Sequence, residues 1–482
     1  MLQHKYELLP GAGTQSERWV YSRQKQLFGM MALGTVLMIL GFGFAFKEWL
    51  WQSEPTPLAE AKLGDWVGTD GLGRKFYELG PKADESYHIG FVEGYEGTTD
   101  VELTARFFVN LWQFTSTLIP DSLRGRFQAG IHAHLPPSHK SMYLAPSGQD
   151  MEAPLKPMWD FKTIFQTDKN ETKTGAKWVE DNPGWTLDFY SDDDAERFVR
   201  ETFPPAEPPK DHNDRDIQDV SWTWHTLNRG VLKADFLRYL LPLVKGGVYV
   251  DTDTTPTEPI SEWGRHEVHW LNVNRTDGPG WRQKFEGRDA AIVLGIDVDV
   301  HSDLNWQRNW PRPLGICQWA LASAPSHPVM LEAVRRVVRN TAYVSAMHEY
   351  EEQKKQLEDV EKSFRAAKAK LEEEGRTALQ IDRPLVQHDS PHEESFDHLS
   401  VINWTGPGVF TDAVMAYLLA RYRVSWKDLR GITRPTRIGE VLILPITAFS
   451  PGGHKDFGAG RVGNPQNALV HGFKGSWKKE GW

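Results

Sequence analysis

Lys233–Pro259, KADFLRYLLPLVKGGVYVDTDTTPTEP, decides how the rest of the chain is read. A Leu-rich amphipathic run leads into Gly246-Gly247, and a short β-branched and aromatic strand follows, Val248 to Asp251. Helix, glycine turn and strand in that order predict an α/β sheet. The strand ends on two carboxylates, Asp251 and Asp253, and Pro256 stops it from continuing. Ligands of open α/β sheets sit beyond the carboxyl ends of the strands. Two acids separated only by Thr252 can lean toward one cation there, and hard oxygen ligands suit Mg²⁺ or Mn²⁺ bridging to a phosphate. Spacing alone does not decide the matter, because a bare Asp-x-Asp is also ordinary turn chemistry.

The same rhythm extends outward. Phe161–Thr167 and Trp185–Tyr190 read as strands, and Ser191 with Asp194 forms a capping-box pattern opening a helix toward Phe203. Strand-like runs follow near Val268–Val273 and Ala291–Ile296, then a helix through Pro328–Asn340. A helix capped by Thr411 is expected to reach Tyr422, and Val441–Pro445 is a late strand. Before this body, Thr104–Ile119 has apolar residues at helical spacing, and prolines from Pro136 to Pro157 punctuate a loop region taken as the boundary. Glu349–Glu374 breaks the pattern. It is packed with Glu and Lys, with Leu357, Val360, Phe364, Ala367 and Leu371 on a narrow seam, and reads as a solvated helical insertion. His388, His392 and His398 beyond it lack metal-ligand spacing.

The chain has 482 residues, 40% hydrophobic and 25% charged, which is a folded composition long enough to bury a core. A net charge of −10 argues against a nucleic-acid partner, which wants a basic face. Cys317 is the one cysteine, so no intramolecular disulfide forms. Leu27–Phe46 is an uncharged apolar run about long enough to cross a bilayer, and Trp49 and Trp51 after it suit the interface. Lys5, Arg18, Arg23 and Lys25 precede it, so the positive-inside rule predicts a cytoplasmic N-terminus and a type II anchor rather than a cleaved signal peptide. Asn170, Asn274 and Asn403 are glycosylation sequons, available in that orientation.

Asp235 and Arg238 share a helix face upstream of the paired acids. The combination Ala-Asp-x-x-Arg followed by Gly-Gly-Val-Tyr-x-Asp-x-Asp resembles the core signature of the DxD sugar-nucleotide glycosyltransferases. It is most similar to glycosyltransferase family 32, the fungal initiation-specific α-1,6-mannosyltransferase group. FKTIFQTDKN, NWTGPGVFTDAV (Asn403–Val414), VLILPITAFSPGGHKDFGAG (Val441–Gly460) and HGFKGSW (His471–Trp477) resemble further blocks of that family, in order.

The resemblance implies a GT-A (Rossmann-like) fold, a GDP-mannose donor, a mannose-containing glycan acceptor and a divalent cation, Mn²⁺ first. It implies that Asp251 and Asp253 hold the metal and diphosphate, with Asp235, Arg238 and Tyr249 on the donor. His471 would complete the metal site, although the family often has a second histidine where this chain has Gly472. Trp222, Trp224 and Trp404 are candidate sugar-stacking surfaces. The expected layout is a cytoplasmic tail (1–26), a span (27–46), a stem and pre-catalytic region (47–155) and a catalytic domain (156–482) with the insertion at about 345–400. The expected setting is the Golgi membrane, with the catalytic domain lumenal. An inositol-phosphoceramide mannosyltransferase and a non-catalytic subunit of a mannosyltransferase complex are the alternative readings.

Overall fold

The computed structural model describes residues 66–69, 75–77, 79, 81–87, 99–142, 157–205, 217–265, 267–271, 282–301, 305–373, 399–453 and 457–474. The apolar run 27–46, Asn274 and the three histidines at 388, 392 and 398 lie outside the described residues. Among the described residues no helix is long and apolar enough to cross a membrane. By packing, the chain divides between Lys62 and Leu63, and every described residue belongs to the second unit.

After a small hairpin, β1 Trp66–Thr69 with β2 Lys75–Tyr77, an eight-stranded mixed sheet forms the frame. Its strands are β3 Thr163–Thr167, β4 Thr186–Tyr190, β5 Gly247–Val250, β7 His269–Trp270, β8 Ile292–Asp299, β9 Leu314–Ser323, β10 Thr436–Ile438 and β11 Val441–Leu444. They lie in the order β4-β3-β5-β9-β8-β11-β10-β7. β3 is parallel to β4 and β5, and β9 runs antiparallel between β5 and β8. A separate ribbon pairs β6 (Thr254–Pro256) with β12 (Leu469–His471).

The central strands β5, β9, β8 and β11 are buried on both faces, so they read as nearly continuous apolar runs, whereas the edge strands β4 and β7 are partly exposed. Alternate residues nevertheless serve different cores. Phe165, Tyr249, Leu294 and Leu321 join one cluster, and Ile164, Val248, Val250 and Val293 the other. The helix Gly230–Lys245 lies over the first face, fully burying Phe236, Leu237, Leu240, Leu241 and Leu243. Each such side chain contributes about 1.5–3 kcal/mol. The chain then turns through Gly246 (φ 71°) and Gly247 (φ 117°). A Cβ on Gly246 would stand 2.6 Å from Pro325 Cδ, and one on Gly247 2.5 Å from Thr163 O. Only glycine permits both the left-handed backbone and the close approach.

Three elements differ from the sequence expectation. The helix starting at Pro328 does not stop at Asn340; it runs to Glu373 as one 46-residue helix. The charged stretch is its continuation, buried through Val338 and exposed from about Glu351, with Val360 61% exposed. Propensity carries a Glu/Lys-rich helix onward after packing ends. The late helix begins at Pro407 with Gly406 as its cap, because proline at the first helical position is favoured. Thr411 is therefore interior, and its Oγ1 accepts the Ile316 N–H at 2.9 Å.

A second helix, Asp121–His134, also follows Asp100–Leu118. The first is opened by a Thr99/Glu102 capping box. Phe107, Phe108, Leu111, Phe127 and Ile131 of this pair share one core with Met330, Val334 and Tyr417. Residues of the 47–155 stretch thus belong to the same packed body as the sheet.

Candidate active site

β5 ends at Val250, but Asp251 still donates its backbone N–H to Trp319 O on β9 at 2.9 Å. The chain then turns sharply. The Thr254 backbone N–H and hydroxyl both return to Asp251 O, at 3.1 and 2.6 Å. Between the acids, the Thr252 hydroxyl donates to Asp168 Oδ2 at 2.7 Å. The Thr252 carbonyl accepts the Thr172 and Thr174 hydroxyls. β6 follows, and its antiparallel partner β12 places His471 opposite Thr254.

That ribbon joins residues more than two hundred apart in sequence. His471 Nε2 lies 3.0 Å from Asp253 Oδ1. Asp253 Oδ2 accepts the Lys474 N–H at 3.0 Å, and Asp253 O accepts the Gly472 N–H at 2.8 Å. A Cβ at Gly472 would press on Asp253 O at 3.0 Å, so a second histidine there would crowd this clasp. Burial works to raise the Asp253 carboxyl, but the His471 ring and the Lys474 N–H outweigh it and hold it below the usual range.

Asp251, Asp253 and His471 each offer a ligand atom, all within 4.8 Å of one another. Neighbouring ligands about 2.1 Å from an octahedral ion stand roughly 3.0 Å apart. The Asp253–His471 separation has that value, 3.0 Å. Two carboxylates and an imidazole therefore fit a divalent cation of the Mn²⁺ or Mg²⁺ kind.

Behind the acids lies a buried polar layer. Tyr249, on β5, donates its hydroxyl to Asp251 Oδ1 at 2.9 Å. Arg238 Nη2 stands 3.2 Å from Asp235 Oδ1 and 3.4 Å from Asp251 Oδ1, with the guanidinium 5.2 Å from the centre of the Tyr249 ring. Asp235 also accepts from Gln318 Nε2 and Thr405 Oγ1, both at 3.0 Å. The structure thus gathers the six residues expected at the metal and donor site, with Asp235, Arg238 and Tyr249 beside Asp251.

Burial pushes the Asp235 carboxyl up to about 6, against the pull of Arg238, Thr405 and Gln318. Its folded pKa is above its unfolded one, so the folded state binds the extra proton between about 4 and 6. Stability from this group is therefore fully present below the unfolded value and falls as pH rises through the folded one. Asp235→Asn removes that slope. Urea unfolding across pH 4–7 should show the wild type losing stability relative to the variant as pH rises; parallel curves would contradict it.

Two of the three candidate stacking tryptophans have their indole N–H groups engaged in the packed body. The Trp224 indole N–H donates to Glu196 Oε2 at 2.6 Å, and that of Trp404 to Thr341 Oγ1 at 2.9 Å. Trp222 is half-buried on the helix Val220–Thr226. The aromatic ring stacked on the site is Trp319, whose centroid is 4.2 Å from that of His471 at 25° between planes. No sequence motif marked it, since its role comes from β9 lying beside β5. Asn170 is exposed, whereas Asn403 is half-buried with its Oδ1 buried, a poor glycan acceptor. Cys317 is free and buried, and burial pushes its thiol up, which makes it inert.

His134, His327 and Glu440 form a second cluster, wholly buried. His327 Nδ1 accepts the Val329 N–H at 3.2 Å, which leaves the ring proton on Nε2, the atom 4.0 Å from Glu440 Oε1. Zinc binds nitrogen and oxygen at about 2.0–2.1 Å through unprotonated atoms. Proton placement disfavours a cation there, and burial lowers the pKa of both rings.

Residues 168–270 match the model of the glycosyltransferase sugar-binding region containing a DXD motif. With the mixed α/β sheet and the paired acids at a strand end, that match makes this region of the chain similar to the sugar-binding region of the DXD glycosyltransferases. Its relatives there are the initiation-specific alpha-1,6-mannosyltransferases. It is 30% identical over 326 residues to that of Schizosaccharomyces pombe, covering 66% of this chain and 64% of the relative, slightly less than two thirds of its length. Identity to the Candida albicans protein is 26%, over 65% of this chain and 68% of that one. For Saccharomyces cerevisiae it is 22%, over 69% and 80%.

Proposed function

We propose that the chain moves mannose from GDP-mannose to a mannose-containing acceptor, an N-glycan outer chain or mannan, forming an α-1,6 linkage with retention. The observation that carries this reading is that His471, on β12, meets Asp251 and Asp253 at the end of β5, the two acids lying inside the matched DXD region. The names of the relatives supply the sugar and the linkage.

Asp251, Asp253 and His471 would hold the cation, Mn²⁺ first. When bound, the cation supplies charge stabilisation to the departing diphosphate. Arg238 and Tyr249 fix the orientation of Asp251, and Asp235 fixes Arg238. Retention follows from same-face attack, with the leaving phosphate taking the acceptor's proton. The same reading places the protein in the Golgi membrane as a single-pass type II protein anchored by 27–46, with this domain in the lumen.

The detergent-solubilised full chain, assayed against several sugar nucleotides and mannose-ended acceptors, should transfer from GDP-mannose with Mn²⁺ and stop in chelator. Transfer undiminished in chelator would overturn the metal role, and preference for another nucleotide sugar would overturn the donor. Protection of an N-terminal tag from protease in sealed microsomes would overturn the topology.

A further inference from the structure

Two residues beyond His471, Phe473 combines three features that ordinary loop residues do not share. Its φ is 46°, a left-handed value unusual for a bulky side chain. Its side chain is 57% exposed. Both its neighbours are fixed to one acid of the DXD pair, Gly472 through Asp253 O and Lys474 through Asp253 Oδ2. The clasp that closes the cation site therefore also holds Phe473 at the tip of a strained turn. Its ring centroid lies 4.1 Å from that of His471 and 6.0 Å from that of Trp319. His471 in turn stacks on Trp319, so Phe473 is the outer ring of an aromatic group whose inner members are the half-buried His471 and the buried Trp319.

A strained backbone and an exposed apolar ring both cost stability, and such costs cluster where a ligand is clamped. Folding alone gains little from a ring this exposed. The CH-bearing face of a pyranose is a natural partner for a fixed aromatic face. A sugar joined to a diphosphate on the neighbouring cation site, or the sugar about to receive it, falls within reach of this ring.

We propose that Phe473 is the platform of a pyranose-binding subsite, stacking on a sugar ring beside Asp253 and His471. The inference rests on the glycosyltransferase reading for its location, but a binding measurement tests it separately. Saturation-transfer NMR on the full chain with Mn²⁺ reads contact to pyranose protons, using GDP-mannose as one probe and methyl α-mannopyranoside as the other. Wild type should saturate the pyranose protons of at least one probe. Phe473→Ala should lose that signal and Phe473→Tyr should keep it. Loss with GDP-mannose assigns the platform to the donor sugar, and loss with the methyl glycoside assigns it to the acceptor.

The matching KM should rise roughly fivefold to tenfold in Phe473→Ala, the scale of one stacking contact, with the cation still bound. Phe473→Gly should lose the same contact yet melt at or above Phe473→Ala, because glycine relieves the left-handed strain. Equal saturation in Phe473→Ala and wild type, no saturation in wild type, or full rescue by Phe473→Leu would each overturn the proposal. Failure of the transfer assay with intact pyranose contact would instead count against the proposed reaction alone.

Discussion

Asp253→Asn should reduce sugar transfer by on the order of 1,000-fold or more while leaving the fold intact. Asp253 makes three contacts that close the site: His471 through Oδ1, Lys474 through Oδ2 and Gly472 through its carbonyl. The amide keeps the shape but can present only one neutral oxygen, so the cation loses a charged ligand. Stabilising a departing diphosphate by a cation is worth several kcal/mol, and each 1.4 kcal/mol is about tenfold in rate. The substitution has a pH signature as well. His471 and Lys474 hold Asp253 below the usual carboxylate range, so its contribution to stability is present above the unfolded pKa and is lost as pH falls through the folded one. Asp253→Asn should lack that part of the acid limb. Transfer rates measured with Mn²⁺ alongside urea unfolding at pH 3–7 check both halves; a variant with wild-type turnover would remove Asp253 from the site.

The second large effect is on stability. Arg238 has 9% of its side chain exposed and lies between Asp235 and Asp251. Burial alone would weaken its charge, but Asp251, Tyr249 and Asp235 more than compensate and keep the guanidinium protonated. Arg238→Met keeps the apolar stem and removes the charge, which leaves the buried Asp235 and the partly exposed Asp251 without their shared cation. Removing one partner of a buried ion pair costs about 3–5 kcal/mol. Much of that cost belongs to the abandoned carboxylates, so Arg238→Met combined with Asp235→Asn should cost clearly less than the two single changes added together. Chemical unfolding of the three variants gives the coupling directly. Simple additivity would mean that Arg238 is not compensating Asp235.

Much of this site was legible because its parts are close in sequence. Asp235, Arg238, Tyr249, Asp251 and Asp253 all lie on one helix–turn–strand unit, whose glycines and apolar periodicity mark its geometry. The site roles of Asp235, Arg238 and Tyr249, like that of His471, nevertheless rested on a family resemblance, and only the β6–β12 ribbon brings His471 to Asp253. Trp319 could not be read at all: its place follows from β9 inserting antiparallel beside β5, and long-range pairing leaves no local signal. The tryptophans chosen as sugar platforms had the right chemistry, but Trp224 and Trp404 lie in packing with their N–H groups satisfied by Glu196 and Thr341. The helix from Pro328 ran on past its expected end for a related reason. Helix propensity in the Glu/Lys stretch persists where burial stops, so a change in composition looked like a change of element. Residue type alone makes Thr411 look like a cap, whereas Pro407 at the first helical position sets the true start.

Direct titration of GDP into the full chain by calorimetry, with Mn²⁺ and then in excess chelator, tests the central claim that Asp251, Asp253 and His471 bind a diphosphate through a cation. The account predicts saturable binding with Mn²⁺ that disappears in chelator and in Asp253→Asn. Equal GDP binding in chelator, or undiminished Mn²⁺-dependent binding by Asp253→Asn, would contradict it.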